Sequence, residues 1–197
     1  NHVRINLHPL RDRAFGEGNK LSDSWFSTLD WATDSALAAG LLVILDFHEF
    51  QRMGDDPEAN KEQFLAFWRQ LSAHCQKAPN SVVFEILNEP NKKLTPALWN
   101  QYLREALAII REKNPTRTII VGPAFWNSVD HLKDGLYRAT LRGEARVVRN
   151  SQWVPEQAAE TARAVQQVMT GNARLRPLKH KGREAWLPRC SASCARW

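Results

Sequence analysis

Short apolar runs alternate with longer amphipathic segments along residues 1–125. Four runs have the length and apolar content of buried strands: residues 3–7, 41–47, 82–87 and 118–122. In the three intervals between them, apolar residues recur at helical spacing. Connections long enough to hold a helix are typical of parallel strands, so the pattern predicts a parallel sheet built of β-α units.

The three intervening segments predict helices with definable ends. The first covers residues 22–39 and ends at Gly40, a typical residue for terminating a helix. The second covers residues 57–77 and follows a polar loop, and the third has Thr95 as its N-cap and Pro96 in its first turn. We expect the first helix to bury four apolar residues: Trp25, Leu29, Ala32 and Ala36.

Polar residues share one face of three predicted strands. Alternation with period two groups Arg4 with Asn6 and His8, Asp46 with His48, and Glu85 with Glu89. An open α/β sheet is covered by helices and is apolar on both faces, whereas a barrel gathers polar residues at its C-terminal mouth. Unpaired buried charge is costly, so these groups line a solvated site or pair with one another. A buried ion pair that only supports the scaffold, such as Arg4 with Glu85, stays open as an alternative.

The segment of residues 84–90, Phe-Glu-Ile-Leu-Asn-Glu-Pro, ends the third strand with an amide and a carboxylate before a proline that directs the chain out of the sheet. It resembles family 5 of the glycoside hydrolases, the cellulase family. The resemblance covers about residues 1–134, because residues 3–6, 45–49 and 119–127 resemble the family's second, third and fifth strands. It implies an α/β fold that is a partial (β/α)8 TIM barrel, with strands resembling the second to the fifth.

The resemblance also implies roles for four catalytic residues. Glu89 is the general acid/base, and Asn88 bonds the sugar 2-hydroxyl or the nucleophile. Arg4 holds the nucleophile carboxylate, and His48 lines the cleft. We therefore expect a retaining glycosidase that hydrolyses internal β-1,4-glucosidic bonds of cellulose or a related β-glucan, which needs two carboxyl groups about 5 Å apart.

Three further residues are candidates for binding the sugar: Trp126, Asn127 and His8. Trp126 offers a platform for a pyranose ring, with helix-to-barrel packing as the alternative, and His8 is equally well explained as a surface histidine. No acidic residue after position 135 lies in a strand context suited to the nucleophile, so the nucleophile is left unassigned.

Two other functions remain open. One is a non-catalytic glucan-binding remnant that lacks the nucleophile. The other is a metal-dependent hydrolase using Asp46, His48 and Glu49, which is disfavoured because consecutive strand residues point to opposite faces. The expected function needs no cofactor and no metal.

Charge divides the chain into two predicted regions. Residues 1–135 hold 15 Lys and Arg against 17 Asp and Glu, whereas residues 136–197 hold 12 against 4. We predict a partial TIM-barrel catalytic domain over 1–135 and a basic tail over 136–197, with a helix at 155–170 and coil beyond. The tail is explained by an altered reading frame near residue 135, by an unrelated joined segment, or by a basic interaction arm. With only part of a barrel, the isolated chain is expected to be poorly stable, oligomeric or inactive.

Composition narrows the expected partners. The basic excess belongs to the tail, so it does not indicate nucleic-acid binding by the main domain. No apolar run is long enough for a membrane span, and three cysteines indicate no disulfide framework. The expected partner is a β-glucan polysaccharide or oligosaccharide. The location is left open, with secretion or the periplasm implied by the resemblance, and the oligomeric state is unassigned.

Overall fold

The computed structural model describes residues 1–128 and, further along the chain, the backbone of two strands within residues 175–188. The chain divides into two units, Asn1–Asn127 and Ser128–Trp197. In the first unit, four strands form one parallel sheet in the order in which they occur in the sequence: β1 (His2–Leu7), β2 (Leu42–Phe47), β3 (Val82–Glu85) and β4 (Ile119–Ile120). This order, with a helical connection at each step, confirms the predicted α/β fold with a parallel sheet.

Four α-helices accompany the sheet in the described part of the chain: α1 (Asp23–Ala38), α2 (Phe50–Asp55), α3 (Pro57–His74) and α4 (Pro96–Lys113). The segment Ala124–Asn127 forms a short turn with positive φ at Phe125, Trp126 and Asn127. Short 3-10 turns lie at Glu17–Asn19 and Cys75–Lys77. None of the helices described is long and apolar enough to cross a membrane.

Side-chain caps explain where the long helices begin. Ser22 accepts a hydrogen bond from the backbone N–H of Trp25 at the start of α1, and Asp56 caps α3 in the same way. Thr95 accepts from the backbone N–H of Leu98, and Pro96 occupies the first turn of α4, which confirms the predicted cap. Gly40 follows α1 with φ of +73°, a conformation that favours glycine.

The core lies between the sheet and helices α3 and α4. Leu45 and Phe47 of β2 are fully buried, and so is a group of large aromatic residues on the two helices: Phe64, Phe67, Trp68, Trp99 and Tyr102. The apolar face of the sheet is therefore sealed by these helices, and the polar face is left to the side chains that the sequence analysis grouped together.

Helix α1 is less buried than predicted. Among the four residues expected in its core, only Leu29 is buried, while Trp25, Ala32 and Ala36 are half-exposed. The neighbouring strand β1 is an edge strand of the described sheet, so less surface is available to cover this helix.

Three other expectations need correction. The polar loop after β2 contains helix α2, which buries Met53. The predicted strands at 82–87 and 118–122 are shorter, although pairing continues past β3 through hydrogen bonds from Ile86 N–H to Ile120 O and from Asn88 N–H to Phe47 O. The predicted coil after residue 170 contains β5 (Leu175–His180) and β6 (Arg183–Pro188), which pair antiparallel. The helix expected at 155–170 lies outside the described residues.

Candidate active site

Arg4 lies at the centre of a polar cluster on one face of the sheet. Its guanidinium binds both carboxylate oxygens of Glu85, with Nε to Oε2 at 2.7 Å and Nη2 to Oε1 at 2.9 Å. Nη2 also lies 2.9 Å from Asp46 Oδ2 and donates to Asn88 Oδ1 at 2.9 Å. Arg4 therefore joins side chains from the first three strands and from the segment that follows β3.

Asp46 is the most buried member of this cluster. Its Oδ2 lies 2.5 Å from His48 Nδ1, and its Oδ1 is buried without a hydrogen-bond partner. Burial raises the pKa of Asp46 to about 8, and the charges of Glu85 and Glu89 add to this effect while Arg4 opposes it. Asp46 consequently tends to hold a proton at neutral pH, and this reduces the negative charge beside Arg4.

Two histidines lie together at the edge of the cluster. The rings of His8 and His48 meet edge to face, with their centroids 5.0 Å apart. Burial lowers the pKa of His48, and the charge of Arg4 lowers it further; burial and the charge of Arg11 do the same to the pKa of His8. Both imidazoles are therefore favoured in the neutral form, in which each ring can donate and accept hydrogen bonds.

Glu89 lies in the turn that leaves the sheet after β3. Its φ of 43° is in the left-handed region, which is uncommon for a residue other than glycine, and its backbone carbonyl accepts a hydrogen bond from Asn91 Nδ2 at 2.7 Å. Its side chain is half-buried, and its charge influences the pKa values of Arg4, Asp46 and His48. Glu89 is therefore accessible to solvent in part, and it interacts electrostatically with the Arg4 cluster.

The loop after β4 runs beside this turn. The backbone N–H of Trp126 donates to the carbonyl of Pro90 at 3.0 Å, and the Trp126 side chain is 53% exposed. The side chain of Asn127 packs closely against Gly122 of the same loop. A Cβ at position 122 would lie only 1.9 Å from Asn127 Oδ1, so there is no room for a larger residue there. The structure therefore connects Trp126 to the Glu89 turn through its backbone, while the Asn127 amide lies against Gly122.

Two residues that anchor loops of the site, Asn91 and Glu49, were not predicted to do so from the sequence. Asn91 is buried and ties the Glu89 turn to α2, because its amide also donates to Phe50 O at 3.3 Å. Glu49, considered only as a metal ligand, instead accepts hydrogen bonds from the backbone N–H groups of Leu10 and Arg11. The sequence shows only that each is a polar residue shortly after a strand. It does not show which backbone groups they bind, because those groups lie in distant segments.

The metal-dependent alternative loses its proposed third ligand. The Glu49 carboxylate binds the backbone amides of the loop after β1, whereas Asp46 and His48 contact each other and Arg4. Within the described residues, no group of three or more His, Cys, Asp or Glu side chains is arranged to hold a metal ion.

Comparison with known proteins identifies the family of this fold and cluster. A sequence model described as Cellulase (glycosyl hydrolase family 5) matches residues 1–160. Endoglucanase E-5 of Thermobifida fusca is 35% identical over 128 residues, which are 64% of this chain and 26% of that protein.

Two solved structures are similar to the chain. Cellulose synthase subunit Z of Clostridioides difficile superposes with a TM-score of 0.64 and 39% identity, over 68% of this chain and 44% of that one. Endoglucanase Cel5A of Thermotoga maritima, solved in complex with cellobiose, gives a TM-score of 0.62 and 38% identity, over 67% and 43% of the two chains. This chain spans less than half the length of each of these relatives, which agrees with a partial TIM barrel. The family match over residues 1–160 shows that the chain belongs to glycosyl hydrolase family 5, the cellulase family.

Proposed function

We propose that the chain carries part of the active site of a retaining glycoside hydrolase that cuts internal β-1,4-glucosidic bonds of cellulose or a related β-glucan, with Glu89 as the general acid/base. One observation supports this most strongly. Glu89 lies half-buried where the chain leaves β3, next to a network of charged and polar residues centred on Arg4. The C-terminal ends of the strands are where TIM-barrel enzymes place their catalytic groups.

The chemistry assigned to Glu89 is proton transfer. As a neutral acid it would protonate the glycosidic oxygen as the bond breaks, and as a carboxylate it would then take a proton from the water that releases the enzyme-bound sugar. The left-handed turn at Glu89, whose backbone carbonyl accepts from Asn91, would present the carboxyl group at the strand end.

The neighbouring side chains would bind the sugar. Asn88 uses its carbonyl oxygen to accept from Arg4, which leaves its N–H groups for a sugar hydroxyl or the nucleophile. His48 has its Nδ1 directed at Asp46, which leaves Nε2 for a sugar hydroxyl. His8 would extend the same wall, and exposed Trp126 would stack against a pyranose ring, with Asn127 beside it.

Arg4 is assigned to the nucleophile side of the reaction, as a cation that favours an ionised carboxylate. In residues 1–128, Arg4 binds both oxygens of Glu85 and lies beside fully buried Asp46, and nothing in this pairing assigns either carboxylate to attack on a sugar. We therefore leave the nucleophile unassigned. This observation also favours the second candidate function, a glucan-binding remnant without hydrolytic activity.

A β-linked glycan is the substrate class that the relatives favour. Several curated relatives are endoglucanases, and Cel5A of Thermotoga maritima has been solved in complex with cellobiose and with mannotriose. We propose a β-glucan for this chain, with mannan as the competitor to test beside it.

Glu89→Gln tests the assignment of the acid/base. The variant should reduce hydrolysis of carboxymethyl-cellulose by about 10²- to 10⁴-fold, while cellotetraose binding measured by calorimetry changes little. Glu62→Gln is a matched control because Glu62 is an exposed residue of α3, the helix that covers the apolar face of the sheet, and it should leave both properties unchanged. A wild-type chain that binds without hydrolysing supports the remnant, and a chain that does not bind cellotetraose contradicts both functions.

We propose that residues 1–135 form the partial catalytic domain and that residues 136–197 are a basic tail from an altered reading frame or a joined segment. The family match runs past this boundary, to residue 160. Resequencing the gene with its flanking regions tests the proposal, because an uninterrupted reading frame across residue 135 would contradict the frame change.

A further inference from the structure

Glu49 directly follows His48 in the sequence, and its carboxylate binds the loop after β1. Its side chain is 3% exposed, and Oε1 accepts hydrogen bonds from the backbone N–H groups of Leu10 at 2.7 Å and Arg11 at 2.8 Å. Its other oxygen lies 3.9 Å from Arg52 Nε, so most of its hydrogen bonding is directed at the loop after β1. A buried carboxylate that receives two backbone N–H groups makes charge-assisted hydrogen bonds, which are stronger than those between neutral groups.

The loop that Glu49 holds is a compact turn. Inside it, Asp12 N–H donates to His8 O at 2.8 Å and Ala14 N–H donates to Pro9 O at 2.9 Å. The amides of Leu10 and Arg11 are thereby directed inward to the same carboxylate oxygen. Glu49 therefore connects this turn to the end of β2.

This turn begins with His8, whose ring meets the ring of His48 edge to face. His48 is attached to the end of β2, and His8 is attached to the turn that Glu49 anchors. The consecutive residues His48 and Glu49 therefore both contact the His8 turn. The His48 imidazole contacts the His8 ring, and the Glu49 carboxylate binds the backbone of the turn that begins with His8.

We propose that Glu49 is a positioning residue that holds His8 against His48 and so forms one wall of the sugar-binding cleft. The role in sugar binding rests on the function proposed above, whereas the positioning of His8 stands on the contacts alone. A residue that only started α2 would not need its side chain, because the hydrogen bond that Met53 N–H donates in that helix goes to the Glu49 backbone carbonyl.

Two substitutions in the full chain test this proposal. Glu49→Ala removes the acceptor, and Glu49→Gln keeps the size and one acceptor oxygen but removes the charge, so it provides a folded variant if the alanine variant fails to fold. Asp56→Ala is the matched control, because Asp56 also accepts from a backbone N–H, that of Ala59, but caps α3 and does not contact the turn after β1.

Three measurements follow each variant. Amide hydrogen exchange at Leu10 and Arg11 should accelerate by roughly tenfold or more in the alanine variant and by less in the glutamine variant. The imidazole NMR signals of His8 and His48 should shift, while those of His2 and His74 stay in place. Cellotetraose binding should weaken about three- to tenfold, the effect of losing one hydrogen bond to the sugar. The control should change none of the three.

The outcomes separate the two claims. Unchanged exchange and unchanged His8 signals in both Glu49 variants would overturn the positioning role. If the wild-type chain does not bind cellotetraose, the proposed function fails, but the exchange and imidazole measurements still decide whether Glu49 holds His8. If His8 moves and cellotetraose binds as well as before, the proposed part of this wall in sugar binding is wrong.

Discussion

Arg4 and Arg117 lie at opposite ends of the same sheet, and both use almost all of their hydrogen-bonding capacity. Arg117 precedes β4 and is 6% exposed, with its guanidinium over the ring of Phe84 at 5.0 Å. Its acceptors are four backbone carbonyls and one amide oxygen: Cys75 O, Ala78 O, Pro79 O, Val82 O and Asn114 Oδ1. Arg4 is bonded to two carboxylates and two amide oxygens, and its side chain is 31% exposed.

The hydrogen-bond acceptors distinguish Arg117, which stabilises the fold, from Arg4, which belongs to the candidate active site. Backbone carbonyls are fixed and do not titrate, so Arg117 ties the segments before β3 and β4 together; burial lowers the pKa of its guanidinium. Burial acts in the same direction on Arg4, but the hydrogen bond to Glu85 and the surrounding carboxylates outweigh it and raise the pKa of Arg4. The Arg4 end thus has more ionisable groups than a scaffold requires, and these groups lie beside Glu89.

The largest effect is expected at the framework end. Arg117→Ala leaves several buried carbonyls without a donor, so the free energy of unfolding should fall by on the order of 3 kcal/mol. Chemical denaturation measures the change. Arg104→Ala, at an exposed position of α4, should stay within about 0.5 kcal/mol of the wild type. Equal losses in the two variants would show that the Arg117 bonds contribute nothing.

Arg4→Met should have a smaller effect on stability, about 2 kcal/mol at neutral pH, because Arg4 is partly exposed and Asp46 can take up a proton. The loss should grow as pH rises and the carboxylates ionise without a cation beside them. Cellotetraose binding should weaken in this variant, because the Asn88 amide loses the bond that orients it, and should be unchanged in Arg104→Ala. If this variant binds the sugar normally, Arg4 only stabilises the fold, as Arg117 does.

The pH dependence of stability tests the titratable character of the Arg4 end. Burial raises the pKa of Asp46 from 3.8 to about 8, so the folded chain keeps a proton that the unfolded chain releases over this window. The contribution of Asp46 to the free energy of unfolding should therefore fall as pH rises from about 4 to about 8. Asp46→Asn should flatten the curve, and exposed Asp34→Asn should not. Parallel curves for the wild type and Asp46→Asn would contradict the buried proton.

The smallest effect concerns Cys75, whose carbonyl accepts from Arg117. Burial raises the pKa of the Cys75 thiol to about 12, so alkylation by iodoacetamide at pH 8 should be slow in the folded chain. Mass spectrometry of the Cys75 peptide should show faster labelling after Arg117→Ala and unchanged labelling after Arg4→Met. Faster labelling in the second variant instead would mean that the two ends of the sheet are not independent.

Much of the fold follows from local pattern. The spacing of the apolar runs predicted the parallel sheet, and Thr95 with Pro96 predicted the start of α4, because caps and periodicity act over a few residues. Helix α2 was missed because its six residues are too few to show helical periodicity above their polar composition. The strands after residue 170 were missed for a similar reason, since β5 and β6 are rich in Arg, Lys and Pro.

The site shows the same limit. Side-chain alternation predicted that Arg4, Asp46, His48 and Glu85 share a face, and the structure brings these side chains into contact. The anchoring by Glu49 and the bond from the Trp126 N–H to the Pro90 carbonyl are contacts between distant segments. Sequence spacing carries no information about such contacts, so they could not be predicted.

A crystal structure of the chain with cellotetraose tests the central claim most directly. We predict a sugar at the C-terminal ends of the strands, with its glycosidic oxygen within about 3 Å of the Glu89 carboxyl group and a hydroxyl bonded to Asn88. A sugar bound at any other surface, or an empty cluster at saturating cellotetraose, would contradict it.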